Sequence, residues 1–388
     1  MTEIVDKIKE TIYKNGFTVG IFLDLKKAFD AVDHKILLEK LKYFGIRGTA
    51  HDLMRSYLSN RKQFTVINDI KSHTKPIECG VPQGSVLGPL LFLVFINDME
   101  FCIPENLPRL FADDTGLFVH GQNINRVLST SQEIITKLEE WFTYNKLTLS
   151  ITKCSYIIFK GPKKKLPQQL PHLTINGHEV EKVEHAKYIG VTLDSSLTFK
   201  HHVENICNKI SSYFRIFYYL RDKVPMNYAR QIYYATVYPH INYCLEIYGG
   251  CNDTVLKKLQ TKQNGLMKVL TKKEYRYPTN ALHHENKILK VKHIYELKLL
   301  SFVHDCLNAK SIEVFDNYFK KQSQTHDHDL RDKNKLVPHT STSNLGCSSV
   351  KSNANTFWNN NQVARDNVGY SKTTLKKKLI ESFNLSYE

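Results

Sequence analysis

The sequence lacks the cysteine patterns that zinc sites and disulfide frameworks need. Its eight cysteines are scattered over 388 residues, with no CxxC pair and no histidine at metal-ligand spacing from any of them. Closely spaced cysteines are typical of zinc sites, and cysteine-dense short chains are typical of disulfide scaffolds. We therefore expect a reducing compartment and neither a structural zinc ion nor a disulfide framework.

Long apolar runs and a secretory leader are also missing. The longest apolar run, residues 86–96, is too short for a bilayer, which takes about 20 residues. The first residues do not follow the basic-then-apolar order of a signal peptide. The sequence predicts an intracellular protein of the nucleus and cytoplasm that is neither secreted nor bound to a membrane.

The first part of the chain has no net charge, and the second part carries the whole excess. Residues 1–150 contain 18 basic and 18 acidic side chains, whereas residues 151–388 contain 36 basic and 20 acidic ones, which gives the net charge of +16. A neutral part followed by a basic part indicates catalysis in the first and contact with a polyanion in the second. The alternative is a basic, solvated surface without a partner.

Strand and helix patterns alternate in the first part. The predicted elements are a strand at 18–24, a helix at 33–44, a β-pair of 64–67 with 76–78, a helix at 85–96 capped by Ser85, a hairpin around 113–114, a helix at 127–142 and a strand at 155–160. This order is typical of a split βαβ sheet with helices on one face, which is an α+β architecture.

The rest of the chain has a different pattern, with a loop and two short strands followed by helices. Residues 162–171 form a Lys/Pro/Gln-rich loop, and strand-like stretches follow at 173–176 and 188–193. The pattern then becomes helical, with an apolar stripe over 203–220 and further candidates at 232–237, 255–270 and 289–307. Residues 321–356 are polar, and we expect them to be loosely ordered.

Acidic residues stand at the ends of two predicted strands. Asp113 and Asp114 lie between the apolar runs of the hairpin, and Asp24 ends the first strand. Acids brought to strand ends from distant parts of a chain are what a two-metal phosphoryl-transfer site requires. An isolated Asp-Asp pair is more often a solvated turn, so that reading stays open on these residues alone.

Five segments, in order and at sensible spacing, resemble the palm motifs of reverse transcriptases of non-LTR (LINE-type, jockey-like) retrotransposons. They are FLDLKKAFD at 22–30, GVPQGSVLGP at 80–89, FADD at 111–114, NKLTLSITK at 145–153 and YIGV at 188–191. The likeness extends to a Phe357-Trp358-Asn359 element near the end of the chain. The chain is thus similar to the C-terminal part of such a protein.

The resemblance implies a right-hand polymerase palm, built on a split βαβ (ferredoxin-like) sheet and followed by a helical thumb. The implied domains are a palm with a remnant of the fingers at 1–160, a primer-grip hairpin with a linker at 161–198, a basic helical thumb at 199–310 and a basic, partly flexible C-terminal region at 311–388.

The resemblance also implies the catalytic groups. Asp24 and Asp113 would bridge two Mg²⁺ ions, with Mn²⁺ as the alternative metal, helped by the backbone carbonyl of Leu25. Asp114 would support them. Lys153 would be the general acid for the pyrophosphate leaving group, or a cation beside the triphosphate; its alternative is a solvated surface lysine.

Three further sets follow from the same motifs. Phe29 would exclude a ribose 2′-hydroxyl and so select dNTP, although an apolar Phe is ordinarily core. Gln83 and Gly84 would contact the template strand or the nascent base pair, and a helix-entry turn is compatible with that role. Tyr188, Ile189 and Gly190 would belong to the primer grip, with a buried strand as the alternative.

The helices after residue 200 combine basic residues with many tyrosines, as suits a thumb that follows an RNA–DNA hybrid through phosphate contacts and shape. The basic residues are Lys209, Arg215, Arg221, Lys223, Arg230, Lys257, Lys258, Lys262 and Lys268. The short basic run at 163–165 suggests a nuclear-entry signal, but such runs are more often loops.

The implied function is RNA-directed DNA polymerase, with template RNA, primer DNA and dNTP as partners. One departure from the family is that only 23 residues precede Asp24, where these enzymes have a fingers region and often an upstream endonuclease. The alternatives are a truncated, catalytically silent nucleic-acid-binding remnant and a related intron maturase. Phe29 argues against an RNA polymerase, since it would crowd a ribose.

Overall fold

The computed structural model describes residues 1–104, 108–324, 332–338 and 348–387. Its strands are β1 Phe17–Leu23, β2 Lys62–Gln63, β3 Val66–Ile67, β4 Ile70–Lys71, β5 Lys75–Pro76, β6 Arg109–Phe111, β7 Asp114–Gly121, β8 Ser155–Phe159, β9 Thr174–Ile175, β10 His178–Glu179, β11 Glu181–Lys182, β12 His185–Tyr188 and β13 Val191–Asp194.

The α-helices of the described part are α1 Thr2–Tyr13, α2 His34–Tyr43, α3 Gly48–Leu58, α4 Leu87–Ile96, α5 Ile124–Tyr144, α6 Lys200–Leu220, α7 Met226–Thr236, α8 Tyr238–Asn242, α9 Leu245–Tyr248, α10 Asp253–Thr271, α11 Thr279–Asn286, α12 Val291–Leu307, α13 Val350–Asn360, α14 Gln362–Asp366 and α15 Lys372–Leu385. Two compact units result, one of residues 15–190 and one of residues 1–14 with 191–388.

A five-stranded sheet organises the unit of residues 15–190. Its order is β11-β8-β1-β7-β6, with β1 antiparallel to both β7 and β8 and with β11 parallel to β8. All seven residues of β1 are buried, because this apolar strand has a neighbour on each edge. A strand that is buried on both faces typically has a continuous hydrophobic sequence, and the sequence of β1 is of this kind. The α+β class predicted from the sequence is confirmed.

Helix α5 packs against β1 and β7 and supplies the apolar layer over the sheet. Its buried side chains recur at helical spacing, including Val127, Ile134, Leu138 and Trp141. Asn123 caps the first turn by accepting from the backbone N–H groups of Asn125 and Arg126. The site-bearing edge of the sheet therefore rests on a well-packed core.

The structure confirms most predicted elements of this unit. Helices α2 and α4 lie within the predicted ranges, and α5, β1 and β8 match theirs with shifts of a few residues. The predicted pairing of 64–67 with 76–78 is wrong in its partners, since β3 pairs with β4 and β5 pairs with β2, in two short ladders. Asn68 and Asp69 form the turn with φ of +48° and +64°, as a two-residue hairpin requires. Helix α3 was not predicted.

The other unit is helical. Helix α6 packs along α10, and α12 contacts α13 and α15. Helix α1 also belongs here: Asp6 accepts hydrogen bonds from the backbone nitrogens of Val350 and Lys351, at 2.8 and 2.9 Å, and so satisfies free N–H groups at the start of α13. The predicted palm range started at residue 1, so its first 14 residues fall in the helical unit instead.

Two predictions for the C-terminal part need comment. Residues 350–356 were expected to be loosely ordered, and this is wrong, since they form most of α13, anchored by the fully buried Trp358. The rest of the range 321–356 lies partly outside the described residues.

Within the described part of the chain, no helix is long and apolar enough to cross a membrane. The seven cysteines found there form no disulfide.

Candidate functional site

The Asp-Asp pair occupies a tight β-hairpin. Phe111, the last residue of β6, pairs with Asp114, the first residue of β7, which leaves Ala112 and Asp113 as the two turn residues. Ala112 adopts φ +51°, a left-handed conformation that glycine accepts more readily. The hairpin predicted from the sequence is therefore present, and its turn holds Asp113 exposed at the sheet edge.

Asp24 lies at the same edge. In the antiparallel register of β1 with β7, Leu23 pairs with Thr115. Asp24 directly follows Leu23, and Asp114 directly precedes Thr115, so the two acids are adjacent across the strands. Residues 90 positions apart in the chain are thereby brought together by strand pairing alone, as the sequence predicted.

The acids influence one another electrostatically. Partial burial and the charges of Asp113 and Asp24 raise the pKa of Asp114, while Lys187 acts in the opposite direction. The Oδ2 atom of Asp24 is buried and makes no hydrogen bond. Like charges close together and an unsatisfied carboxylate oxygen both favour a nearby cation.

The donor set fits a hard divalent cation, because carboxylate oxygens are the protein ligands that Mg²⁺ prefers. Reverse transcriptases generally use divalent metals. The side chains do not yet converge, however: within the described residues no three His, Cys, Asp or Glu side chains are placed so that they could hold an ion. Binding an ion at this edge therefore requires the three carboxylates to turn toward one another.

The segment that follows β1 explains how Lys153 reaches the acids. Leu25 forms an isolated antiparallel bridge with Leu149, the backbone nitrogen of Lys26 donates to Thr148, and that of Ser150 donates to the carbonyl of Asp24 at 2.8 Å. These bonds fix the fourth motif beside the first. The Lys153 ammonium consequently lies 3.4 Å from Asp24 Oδ2.

Phe29 packs on helix α4. Its ring stacks on that of Phe92, with centroids 4.4 Å apart and planes inclined by 29°, and Phe92 is fully buried. The carbonyl of Phe29 accepts from the backbone nitrogen of Val81 at 2.8 Å, which ties the first motif to the second. Phe29 itself is only partly buried. One part of the ring thus belongs to the core and another remains accessible.

Gln83 and Gly84 are exposed in the loop before α4. The Gln83 amide donates to Asp30 Oδ1 at 2.9 Å, so the side chain is held in one orientation. Gly84 has φ +81°, and a Cβ atom there would meet nothing within 4 Å. The left-handed backbone conformation therefore explains why residue 84 is a glycine. The missing side chain leaves open space above the loop. Ser85 accepts from the backbone nitrogen of Gly88 at 2.9 Å, as predicted for the helix start.

Tyr188 is buried at the end of β12. Its hydroxyl donates to the carbonyl of Arg109 at 2.7 Å, and its ring lies where a Cβ on Gly116 would fall, 2.7 Å from Cζ. Ile189 and Gly190 follow with φ of +43° and +74°. The predicted strand over 188–193 is thus wrong in one respect, since these two left-handed residues interrupt it as a turn.

Sequence reasoning missed two contacts around the site. Asp33 caps α2 and also pairs with Lys146 at 2.7 Å. Asp30 positions Gln83. Lys146 belongs to the fourth motif, so its nearness to the first motif was the available indication. The sequence contained no comparable indication that Asp30 would contact Gln83.

The predicted thumb cations differ in their surroundings. Arg221 lies over the ring of Tyr218 and Lys223 over that of Tyr219, at 3.8 and 3.6 Å from the centroids. Both tyrosines are exposed. Arg221 also pairs with Asp222, and Lys258 with Glu204. Lys268 donates to the carbonyl of Tyr275. The described structure shows no ion pair for Lys209, Arg215, Lys223, Arg230, Lys257, Lys262 or Lys268.

In the basic run at 163–165, the Lys164 ammonium packs on the ring of Phe17 and donates to the carbonyl of Asn15.

Among solved structures, a telomerase from Candida albicans, determined with a fragment of telomeric RNA, is similar at a TM-score of 0.41 and 12% identity, over 81% of this chain and 53% of that chain.

Two curated relatives are RNA-directed DNA polymerases of Drosophila melanogaster mobile elements. The protein from mobile element jockey is 28% identical over 298 residues, which are 74% of this chain and 32% of that protein. The probable enzyme from transposon X-element is 27% identical over 347 residues, which are 86% of this chain and 34% of that protein. The chain spans about a third of the length of these relatives.

Residues 3–193 match the family model described as reverse transcriptase (RNA-dependent DNA polymerase). This range contains all five motifs and the three acids at the end of the sheet, Asp24, Asp113 and Asp114, which we call the acidic edge. The chain therefore contains a reverse transcriptase domain at residues 3–193 and is similar to the RNA-directed DNA polymerases of jockey and X-element, which are non-LTR retrotransposons.

Proposed function

We propose that this chain is an RNA-directed DNA polymerase that adds dNTP to a primer 3′-hydroxyl on an RNA template. The observation that carries the proposal is the strand register that brings Asp24 beside Asp114, with Asp113 in the adjoining turn. The reverse transcriptase domain at residues 3–193 supports the same reaction. Because the matched relatives are about three times as long, the activity of this chain by itself is part of the proposal.

Asp24, Asp113 and Asp114, with the backbone carbonyl of Leu25, are the proposed ligands of two Mg²⁺ ions, or of Mn²⁺. When bound, such ions activate the attacking hydroxyl and stabilise the leaving oxygen. The protein holds the acids on a buried strand and a tight hairpin, so little reorganisation of the backbone is needed. Positioning and charge neutralisation supply most of the catalysis in phosphoryl transfer.

Lys153 is proposed to act on the triphosphate. Its ammonium is exposed and close to Asp24, so it can approach the phosphates of a nucleotide that reaches the acids. There it neutralises charge on the leaving pyrophosphate or donates a proton to it.

Phe29 and Gln83 are proposed to select and align the nucleotide. Stacking on Phe92 fixes the Phe29 ring, and a fixed ring discriminates by steric clash against a 2′-hydroxyl. The hydrogen bond from Gln83 to Asp30 holds the amide at the exposed loop, where Gly84 leaves room for a template base or the nascent pair.

We further propose that the unit of residues 15–190 contains the palm, that Tyr188, Ile189 and Gly190 form its primer grip, and that residues 199–310 are the thumb. The turn at Ile189 and Gly190 places exposed backbone after the buried Tyr188, which suits contact with a primer strand. Exposed Tyr218 and Tyr219, each covered by a cation, suit contact with a sugar–phosphate backbone.

A second candidate is a silent nucleic-acid-binding protein, and the acids that do not yet converge favour it. A primer-extension assay on poly(rA) with oligo(dT), dTTP and Mg²⁺, run beside a binding assay with the same duplex, separates the two. Template-dependent extension supports the polymerase. Binding without extension supports the silent protein, and absence of both contradicts the two proposals together.

A further inference from the structure

The helical unit contains a cavity of about 400 Å³ that the polymerase reaction does not use. Its walls come from Gly249, Gly250 and Cys251 and from residues of α10, α12 and α13. Pockets of 300 to 1,000 Å³, mostly apolar and with a few placed polar groups, are typical of small-ligand sites.

Two buried polar groups at this cavity have at most each other as partner. The hydroxyl of Tyr295 and the Nδ2 atom of Asn353 make no hydrogen bond of good geometry within the described residues, although the two side chains are close enough to influence each other, and Tyr295 is only 4% exposed. Buried polar groups are ordinarily satisfied, and each exception calls for a bound water or ligand. Together the two groups provide donors and an acceptor at the inner wall.

The two glycines keep these groups in place. A Cβ on Gly249 would lie 2.3 Å from the Tyr295 ring, and one on Gly250 would lie 2.7 Å from Asn353 Nδ2 and 3.0 Å from the Tyr295 hydroxyl. Any larger residue at either position would displace the polar groups. The Gly-Gly pair is therefore part of what shapes the cavity.

The remaining walls are aromatic inside and basic outside. The rings of Tyr295 and Phe357 meet edge to face, with centroids 5.7 Å apart. Lys257 and Lys292 also line the cavity; both are exposed and have no ion pair within the described part of the chain. Asp253 is an acid at the same cavity and suits sugar hydroxyls rather than a phosphate.

We propose that this cavity binds a nucleotide, with the base against Tyr295, Asn353 and Phe357 and the phosphate at Lys257 and Lys292. A base has a planar face that packs on aromatic rings and a polar edge that pairs with hydroxyl and amide groups. The nucleotide is either free or one unpaired residue of a bound strand. The proposal does not depend on polymerase activity, because every residue that lines the cavity belongs to the helical unit, whereas Asp24, Asp113 and Asp114 belong to the unit of residues 15–190.

The test is a calorimetric titration of the full chain with AMP, CMP, GMP and UMP, and with a ten-nucleotide single-stranded RNA, for the wild type and the variant Tyr295→Phe. Removing the hydroxyl breaks no hydrogen bond of good geometry in the free protein and costs it at most the contact with Asn353. We therefore expect an unchanged or higher Tm together with binding that is about tenfold weaker. A residue that served packing alone would leave the affinity unchanged.

A matched pair of lysine variants tests the phosphate position. Lys257→Gln should weaken binding several-fold and reduce its salt dependence, while Lys272→Gln, directly after α10 and paired with Asp222, should leave the affinity for the monophosphates unchanged. Asn353→Ala should weaken binding as Tyr295→Phe does.

The two ligand types identify the source of the nucleotide. Saturable binding of a monophosphate, lost in Tyr295→Phe, establishes a site for free nucleotides. Tyr295-dependent binding of the RNA alone assigns the cavity to a base of a strand. If neither ligand binds, or if Tyr295→Phe binds both as the wild type does, the cavity holds only water and the proposal is overturned. None of these outcomes depends on primer extension.

Discussion

The Lys153 ammonium lies 3.4 Å from Asp24 Oδ2, a buried carboxylate oxygen that makes no hydrogen bond. Backbone pairing between the segments of the two residues brings them together: Ser150 donates to the carbonyl of Asp24, and Leu25 bridges Leu149. This lysine is the one cation shown beside that oxygen within the described residues. Its charge is then available when a nucleotide and metal ions enter the site.

Replacing Lys153 by Ala should lower the rate of primer extension by about 100-fold, since a positioned acid or cation at the leaving group is lost. Stability should change by less than about 1 kcal/mol, because the Lys153 side chain is mostly exposed and makes only this one ion pair within the described residues. Steady-state kinetics with dTTP and a thermal melt measure the two effects. Lys153→Arg should recover part of the rate, as a cation but a poor acid.

The matched control is Lys146→Ala, which removes a similar exposed Lys–Asp pair, with Asp33, outside the acidic edge. Equal losses of rate in the two alanine variants would contradict a specific role for Lys153.

Replacing Phe29 by Val should raise incorporation of rNTP relative to dNTP by about tenfold, because the smaller side chain leaves space for a 2′-hydroxyl. The ratio of kcat/KM values for UTP and dTTP measures this. Phe29→Tyr keeps the ring stacked on Phe92 and should retain the selectivity. An unaltered ratio in the valine variant would remove Phe29 as the selecting residue.

The sequence predicted the acidic edge well because strand pairing follows local rules. A continuous apolar run at 17–23 makes a buried strand, and the two-residue turn after Phe111 fixes the register of the hairpin. Acids at the ends of such strands are positioned by the backbone. Their side-chain directions are not, which is why the sequence could not show that the carboxylates stop short of a closed metal site.

What the sequence could not show depends on contacts between distant residues. Nothing local indicates that Asp6 satisfies the start of α13, since Asp6 and Val350 are 344 positions apart. Likewise, the polar composition around residue 350 predicts loose structure, but burial of Trp358 and the cap from Ser349 stabilise a helix there. Tertiary packing overrides composition in both cases.

Replacing Gly116 by Ala should destabilise the unit of residues 15–190 by about 1–3 kcal/mol, because the new methyl group would overlap the buried Tyr188 ring, 2.7 Å from Cζ. Urea unfolding followed by tyrosine fluorescence measures this. Gly369→Ala is the control: it has an ordinary φ and nothing within 4 Å of its Cβ position, so its effect should stay within about 0.5 kcal/mol. Equal midpoints for the two variants would contradict the close packing of Tyr188.

Acid should destabilise the helical unit through His283. Burial, with smaller effects from the charges of Lys290 and His293, lowers the pKa of His283 from its ordinary value of 6.5 to about 4, while the hydrogen bond to the carbonyl of Ile288 acts in the opposite direction. The unfolded chain therefore binds the proton first. The stability that neutral His283 contributes is complete above pH 6.5 and is lost as the pH falls toward 4, by about 3 kcal/mol in total.

The pH dependence of urea unfolding between pH 7 and 4 tests this. His202 and His293 have pKa values lowered to about 4 as well, so the wild type should lose more stability than one histidine explains. His283→Gln should be less stable at pH 7 and should show a shallower fall with acid. A slope identical to that of the wild type would contradict the assignment to His283.

The most direct test of the polymerase site compares two aspartates at hairpin turns, Asp113 in the β6–β7 hairpin and Asp69 in the exposed β3–β4 hairpin. Each is replaced by Asn, which keeps the shape of the side chain and removes its charge. The measurement is primer extension on poly(rA) with Mg²⁺, together with titration of Mn²⁺ followed by electron paramagnetic resonance. We predict that Asp113→Asn loses extension by at least about 1,000-fold and weakens Mn²⁺ binding, while Asp69→Asn matches the wild type in both. Extension and Mn²⁺ binding at wild-type levels in Asp113→Asn would contradict the metal-dependent site at this edge of the sheet.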